Sequence, residues 1–349
     1  MKILFLGDFY YDYDYITEDI KKISKYIKSN NLVTILNLEG TIETEYKVNK
    51  VVRLKFGDAF IEALKLLNVK AVNLANNHVM DYGTNGLKML IKKLDDAGIG
   101  HFGAGLNLDE ALNTYTMSIG KKKIAFGGYG WNMEECINAK KNSAGTAPID
   151  FKMTSKVIDV TECDLFVPIF HYGYEYELLP QPYHLVKTRE LMNKDKVKII
   201  IGHHPHVVQA FEQNIYYSLG NFYFGSRRND FYNNKKHSHY SNYGIGVIYD
   251  IDSNECEVIE IIYDGRNSSI VKSKHELLDI TKIKTNNYLE YFNKTNRFFN
   301  KKFVYKNGWF NEKFLNNFKY YCRNCYKIYL RKFKWPLIKI LKKIINKIR

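Results

Sequence analysis

Two hydrophobic rhythms alternate along the first two hundred positions. Residues 2–6, 32–38 and 69–74 are short apolar runs, of the kind a buried parallel strand needs. Between them the apolar positions fall at helical spacing. Ile20, Ile23 and Ile27 share one face of residues 17–28. Phe60, Ala63, Leu64 and Leu67 do so in residues 59–67, and Leu87, Leu90, Ile91 and Leu94 in residues 85–97, where Gly98 supplies the stop. The alternation continues with strands expected at 123–127, 164–170 and 197–201 and a helix at 183–192. This is the signature of a layered α/β fold. After Gln209 the rhythm changes. Residues 215–219, 246–251 and 257–263 read as strands joined by short turns, so a second, more antiparallel sheet is expected there.

A boundary is expected near residues 265–285, with a domain at 1–265 and an extension at 266–349. The extension is rich in Asn, Lys and aromatic residues and is expected to be mostly helical. Charge sharpens this division. The chain carries a net +15 over 349 residues. Residues 319–349 hold eleven Lys/Arg and no acidic residue, which leaves 15 − 11 = +4 for the rest. The basic character therefore belongs to a tail, and no specific nucleic-acid partner is expected. From Trp335 to Arg349 the tail is amphipathic, with Leu337, Leu341, Ile344, Ile345 and Ile348 opposite Lys339, Lys342, Lys343 and Lys347. Such a helix suits an anionic membrane surface, and it equally suits packing on the protein itself.

Five cysteines in so long a chain make no disulfide framework, and Cys322-x-x-Cys325 lacks the second pair that a structural zinc site needs. Residues 3–6 are too few for a signal-peptide core, and no apolar run reaches the length of a membrane span. The expected location is cytoplasmic, with peripheral attachment to the inner face of the membrane through the tail.

The chemistry lies where the strands end. Gly202-His203-His204-Pro205-His206 follows one apolar run and Asn76-Asn77-His78 follows another. Asp8, Glu39 and His171 close three more. Taken singly, each has a bland reading: Asp8 and Glu39 as turn or loop residues, Asn77 as a turn residue, His171 as a structural histidine. Together, six ligand-capable residues at the carboxyl ends of parallel strands converge along one sheet edge, where α/β folds bind ligands. Two carboxylates, three imidazoles and an amide oxygen suit divalent Mn, Fe or Zn. Six ligands exceed one four-coordinate site and fit two metal ions, a pair that activates water and clamps the oxygens of a phosphoryl displacement. In an extended chain His204 and His206 would point the same way and His203 away from them.

At these residues the chain resembles the CapA, or poly-γ-glutamate capsule-synthesis, family of the calcineurin-like metallophosphoesterase superfamily. The matching features are Gly7-Asp8, Asn37-Leu38-Glu39-Gly40, Asn73-Leu74-Ala75-Asn76-Asn77-His78-x-x-Asp81-Tyr82-Gly83 and Gly103-Ala104-Gly105. They continue with His171-Tyr172-Gly173-Tyr174-Glu175-Tyr176, Gly202-x-His204-Pro205-His206 and Ser218-Leu219-Gly220-Asn221-Phe222. Together they cover roughly residues 2–250. The resemblance implies a four-layer α/β/β/α sandwich followed by the basic helical extension. It implies two divalent metal ions on Asp8, Glu39, Asn77, His171, His204 and His206. His78 would be the non-ligand catalytic imidazole beside the leaving group, oriented by Asp81. Arg53, Glu175 and Asn221 are the substrate-binding candidates, with Lys55 a further anion contact.

The implied activity is hydrolysis of phosphoester bonds in capsule or cell-surface polymer biosynthesis, on an anionic phosphorylated or capsule-polymer substrate. Two departures from the wider superfamily stand out. The first strand reads Asp8-Phe9-Tyr10 where Asp-x-His is usual, and Glu39 stands where an Asp is usual. Two other readings therefore stay open: a non-catalytic assembly factor that binds polymer or a membrane-bound partner, and a metal-dependent amide hydrolase.

Overall fold

The computed structural model describes residues 1–132, 135–228 and 243–272. The tail from Trp335 to Arg349, and all of the extension beyond Lys272, lie outside the described residues.

The first half is built around β1 (Lys2–Tyr10), β2 (Val33–Leu38), β3 (Val69–Asn73) and β4 (Gly100–Phe102). These four run parallel, joined through α1 (Glu18–Ser29), α2 (Phe60–Leu66) and α3 (Gly83–Asp96). Each helix has local reasons to form. Glu18 and Asp19 sit in the first turn of α1 and Lys28 in its last, matching the helix dipole. Past the end of α3, Gly98 adopts φ +67, a left-handed turn that costs glycine nothing. Short elements follow: β5 (Ala104–Gly105), α4 (Leu108–Leu112), β6 (Tyr115–Ile119), β7 (Lys122–Gly130) and β8 (Gly145–Thr146). Then come α5 (Phe151–Val160), β9 (Leu165–His171), α6 (Pro182–Met192) and β10 (Ile200–His203). The described chain closes with β11 (Phe211–Glu212), β12 (Ile215–Tyr216), β13 (Asn221–Phe224), β14 (Tyr243–Asp250), β15 (Cys256–Tyr263) and β16 (Ser268–Lys272).

The strands make two large sheets. One runs β16-β15-β14-β1-β2-β3-β4, with β13 also on β1, and the other runs β11-β12-β10-β9-β7-β6. Alternation along each strand assigns the layers. Leu4 and Leu6 of β1 pack with Ile20, Ile23 and Ile27 of α1, Phe60 and Leu64 of α2, and Leu87, Leu90 and Leu94 of α3. Ile3 and Phe5, on the opposite face, pack with Phe126 of β7, Val167 and Ile169 of β9, and Ile201 of β10. Phe170 of β9 faces away from that inter-sheet core and meets Phe151 of α5 at 5.4 Å between ring centroids. The order is helix, sheet, sheet, helix: the four-layer α/β/β/α sandwich.

One expectation is corrected. The late strands do not form a separate sheet. β14, β15 and β16 extend the first sheet antiparallel from β1, and β11 and β12 border the second. Local patterning registers a hairpin, but which strand it joins is set by long-range pairing. The last strand of this sheet, Ser268–Lys272 on β15, falls within the boundary region expected at 265–285.

β1 changes neighbour midway. It pairs with β14 through Leu6 and with β13 from Asp8 onward, at a bulge that also shifts its register against β2. A bulge re-aims the side chain beside it, and that side chain is Asp8.

Candidate metal centre

The site lies between the two sheets, at the carboxyl ends of their parallel strands. Asp8 on β1 and Glu39 just after β2 come from the first sheet; His171 on β9 and the segment after β10 come from the second. The expectation of a single sheet edge is thereby corrected to two facing ones. Neither Asp8 nor Asn77 ends its strand: β1 runs on through Tyr10, and β3 stops at Asn73, leaving Asn77 in the loop before α3.

Asp8, Glu39 and His206 each offer a ligand atom within 4.8 Å of the others, and all three are buried. Asp8 is held from several sides. Asn37 Nδ2 donates to Oδ1 at 2.8 Å, and His203 Nδ1 lies 3.2 Å from the same oxygen. The other oxygen, Oδ2, takes the His204 N–H at 3.3 Å and lies 3.4 Å from His206 Nδ1. Asn221, in register with Asp8 on β13, places Oδ1 2.9 Å from His206 Nδ1. That leaves His206 Nε2 directed at Glu39, 3.7 Å from its Oε1.

A second group adjoins the first. His171 Nε2 lies 2.9 Å from Asn77 Oδ1, and the His171 and His204 rings are 4.7 Å apart. The His204 and His206 rings are 6.1 Å apart. Asn37 connects the groups, reaching Glu39 Oε2 at 3.5 Å and His171 Nδ1 at 3.4 Å, while Asn73 Nδ2 donates to Asn37 Oδ1 at 2.9 Å. Above these, His78 Nδ1 lies 2.6 Å from Asp81 Oδ2, and its Nε2 lies 3.9 Å from Glu39 Oε1.

The reading of His203 as turned away is corrected. β10 ends at His203, and His204 and His206 take left-handed backbone at φ +100 and +57. Strand alternation does not carry through such a turn, so His203 faces Asp8 after all. Non-glycine residues held there cost on the order of 1–3 kcal/mol each and persist where the surroundings over-determine them. Gly202 makes the approach possible: a Cβ on it would stand 2.0 Å from the Tyr217 carbonyl oxygen.

The electrostatics favour a cation. Burial pushes Asp8 up, but His203 and His206 outweigh it and hold the carboxyl well below its ordinary range. Glu39 is driven well above its ordinary value by burial and then by Asp8. Burial lowers His206, yet Glu39 and Asp8 together raise it to about 10. His204 is lowered to about 4 by burial, and His171 falls well below its ordinary value through burial and the His204 ring. Without metal, the result is an ionised Asp8, a Glu39 that keeps its proton, a protonated His206, and neutral His171 and His204 beside them. Displacement of the protons on Glu39 and His206 by a bound cation would leave the carboxylates and neutral imidazoles that metal ligands need. Glu39 Oε1 accepts no hydrogen bond. The donor set therefore fits a divalent cation, which would supply the positive charge that the protons on Glu39 and His206 provide without it.

The other candidates fall unequally. Glu175 acts electrostatically on Glu39, His204 and His206. Arg53 is not brought to the ligands: its Nη1 donates to the carbonyls of Val48 and Lys50, at 3.0 and 2.7 Å. Lys55 is paired with Glu43. Tyr10, at the position of the absent histidine, packs its ring against Phe56 and Phe224, with centroids 6.3 and 5.5 Å away. Sequence reasoning missed Asn37, Asn73, His203 and Lys50. Asn37 was within reach, since it stands two residues before Glu39 and strand alternation puts i and i+2 on one face. Nothing local marks Lys50.

Residues 3–226 match the family model described as bacterial capsule synthesis protein PGA_cap. The chain belongs to this family. It is 31% identical over 229 residues to the capsule biosynthesis protein CapA of Bacillus anthracis, an alignment spanning 61% of this chain and 54% of that one. It is also 31% identical over 218 residues to the PGA biosynthesis protein CapA of Bacillus subtilis strain 168, spanning 59% and 55%. The alignments thus span about half the length of these curated relatives. Among solved structures it is similar to the calcineurin-like phosphoesterase YfkN of Bacillus subtilis, at 13% identity and a TM-score of 0.38, covering 84% of this chain and 98% of that one. All six expected ligands, His78 and Asp81 lie within the region matched to the family.

Proposed function

We propose that this protein is a metal-dependent hydrolase of phosphoester bonds that serves capsule or cell-surface polymer biosynthesis. One observation carries the reading: Asp8, Glu39 and His206 converge within 4.8 Å in a buried site, with Asn77, His171 and His204 beside them. We assign these six residues to two divalent ions, of which Mn, Fe and Zn suit the mixed nitrogen and oxygen donors. Bound there, the ions supply a Lewis acid and a lowered pKa for water.

The chain's own residues do the rest. Asp8 and Glu39 set the negative charge that holds the cations, and Asn37 and Asn221 aim the ligands. His78 keeps Nδ1 toward Asp81 and turns Nε2 toward Glu39, which fits it to exchange a proton with an oxygen of the reacting phosphoester. Burial of the cluster keeps bulk water away and strengthens each electrostatic contact. The names of the two CapA relatives, capsule biosynthesis and PGA biosynthesis, motivate the biological setting. The substrate in this reading is an anionic phosphorylated or capsule-polymer intermediate. The amphipathic end from Trp335 to Arg349 would bring the enzyme to an anionic membrane surface. No helix among the described residues is long and apolar enough to cross a membrane.

Elemental analysis and turnover test the proposal together. Purified protein is expected to retain close to two equivalents of Mn, Fe or Zn and to cleave bis-(4-nitrophenyl) phosphate or 4-nitrophenyl phosphate with added Mn²⁺. His206→Ala is expected to lose both. A metal content near zero, with no turnover under any divalent ion, would turn the reading toward an assembly factor without catalysis.

A further inference from the structure

A buried cation that no motif announces lies against the His78–Asp81 pair. Lys50 comes from the loop between β2 and α2, and its side chain is only 7% exposed. Its Nζ lies 3.1 Å from Asp81 Oδ1 and donates to the backbone carbonyl of Asn77. Glu135, an exposed carboxylate, stands 3.8 Å away. Burying an ammonium is costly unless it is paired, so the cation is held where these acceptors need it.

The rest of the loop is tied to the same aspartate. Val48 N–H donates to the Asp81 carbonyl at 2.9 Å, and Leu54 N–H donates to Asp81 Oδ2 at 2.9 Å. Arg53 in turn holds the carbonyls of Val48 and Lys50. Asp81 Oδ2 is therefore hydrogen-bonded to His78 and Leu54, while Oδ1, which accepts no hydrogen bond, is held by the ion pair with Lys50. A carboxylate engaged at both oxygens cannot rotate freely, and an imidazole hydrogen-bonded to it keeps one tautomer and one ring angle.

We propose that Lys50 is a positioning residue for His78. It locks the Asp81 carboxylate, so that His78 carries its proton at Nδ1 and presents Nε2 to the site. Through the Asn77 carbonyl it also steadies the backbone of an expected metal ligand. This rests on the hydrolase reading of the same site, and it concerns a residue outside every motif that supports that reading.

The test pairs kinetics with a readout that needs no turnover. Lys50→Met is expected to lower kcat by roughly 10–100-fold with KM little changed, the usual cost of losing a residue that orients a site. Lys50→Arg, which keeps a cationic donor, is expected to recover most of the loss, and Glu135→Gln to change little. In chelator-treated protein, long-range ¹H–¹⁵N spectra should show His78 as the Nδ1–H tautomer in wild type and Lys50→Arg, and as a mixture in Lys50→Met. If Lys50→Met does not fold, Lys50→Gln takes its place. An unchanged His78 tautomer in the neutral variant overturns the proposal, whether or not kcat falls. A wild-type protein without turnover defeats the hydrolase reading alone, and the ring spectra then still decide the role of Lys50.

Discussion

Replacing Glu39 by Gln should reverse the sign of its effect on stability according to whether metal is bound. The carboxyl is fully buried, its Oε1 accepts no hydrogen bond, and its pKa is raised well above the ordinary value by burial and then by Asp8. In metal-free protein the folded state thus holds a proton on Glu39 in a range where the unfolded chain has released it. The stability from that proton is complete below the ordinary glutamate value and is lost as pH rises toward the folded one. Gln keeps the shape and removes the charge. A buried acceptor left unsatisfied costs about 1–3 kcal/mol, more when charged. Metal-free Glu39→Gln should therefore melt higher than wild type at pH 8. At about 2–4 °C per kcal/mol for a domain of this size, the gain is roughly 2–12 °C. It should shrink toward zero near pH 4.5.

Adding Mn²⁺ should invert the order. A ligand at a hundred times its dissociation constant stabilises by about 2.7 kcal/mol, and wild type should gain this while Glu39→Gln gains little. Scanning calorimetry at pH 5, 7 and 8 with chelator and with Mn²⁺ reads both effects. If Glu39→Gln is less stable than wild type without metal, or if Mn²⁺ stabilises both alike, Glu39 is not a charge waiting for a cation.

Three further outcomes follow from neighbouring contacts. In Gly128→Ala a Cβ would stand 2.0 Å from Asn73 Oδ1, displacing the amide that holds Asn37, so metal affinity measured by calorimetric titration should fall about 10–100-fold although no ligand is touched. His184, packed on Trp131 and Tyr172 at 4.7 and 4.6 Å, is lowered by burial to about 3. The unfolded chain therefore binds a proton that the folded chain refuses, and stability falls as pH drops from the ordinary histidine value toward 3, by at most about 1.4 kcal/mol per pH unit. His184→Phe should flatten that acid limb in denaturant titrations. Arg189 donates to both oxygens of buried Glu212, at 2.7 and 2.6 Å, and Tyr217 adds a third bond at 2.5 Å. Arg189→Met should cost about 2–4 kcal/mol, reduced from the fully buried case because Arg189 is partly exposed, and urea denaturation should show Arg189→Met/Glu212→Gln recovering part of it.

What could be read from the chain alone was whatever depends on near neighbours. The spacing of Ile20, Ile23 and Ile27 carries α1, and the apolar runs before Asp8, Glu39 and His171 carry β1, β2 and β9, because periodicity expresses which face each element must bury. Glu39 and His171, at the ends of β2 and β9, were legible for the same reason, whereas β1 runs on past Asp8 to Tyr10. The resemblance rested on such local runs, and the family match over residues 3–226 bears it out. Tertiary structure alone decided how the runs meet. It placed His171 on a second sheet and His206 in the loop after β10, facing Asp8 and Glu39, extended the first sheet from β1 through β14, β15 and β16, and turned His203 toward Asp8 through left-handed backbone at His204 and His206. It also set Lys50 against Asp81, across 31 positions of sequence. None of these has a local signature. Each follows from strand pairing and from the need of a buried charge for a partner, and both are satisfied by residues that the sequence keeps far apart.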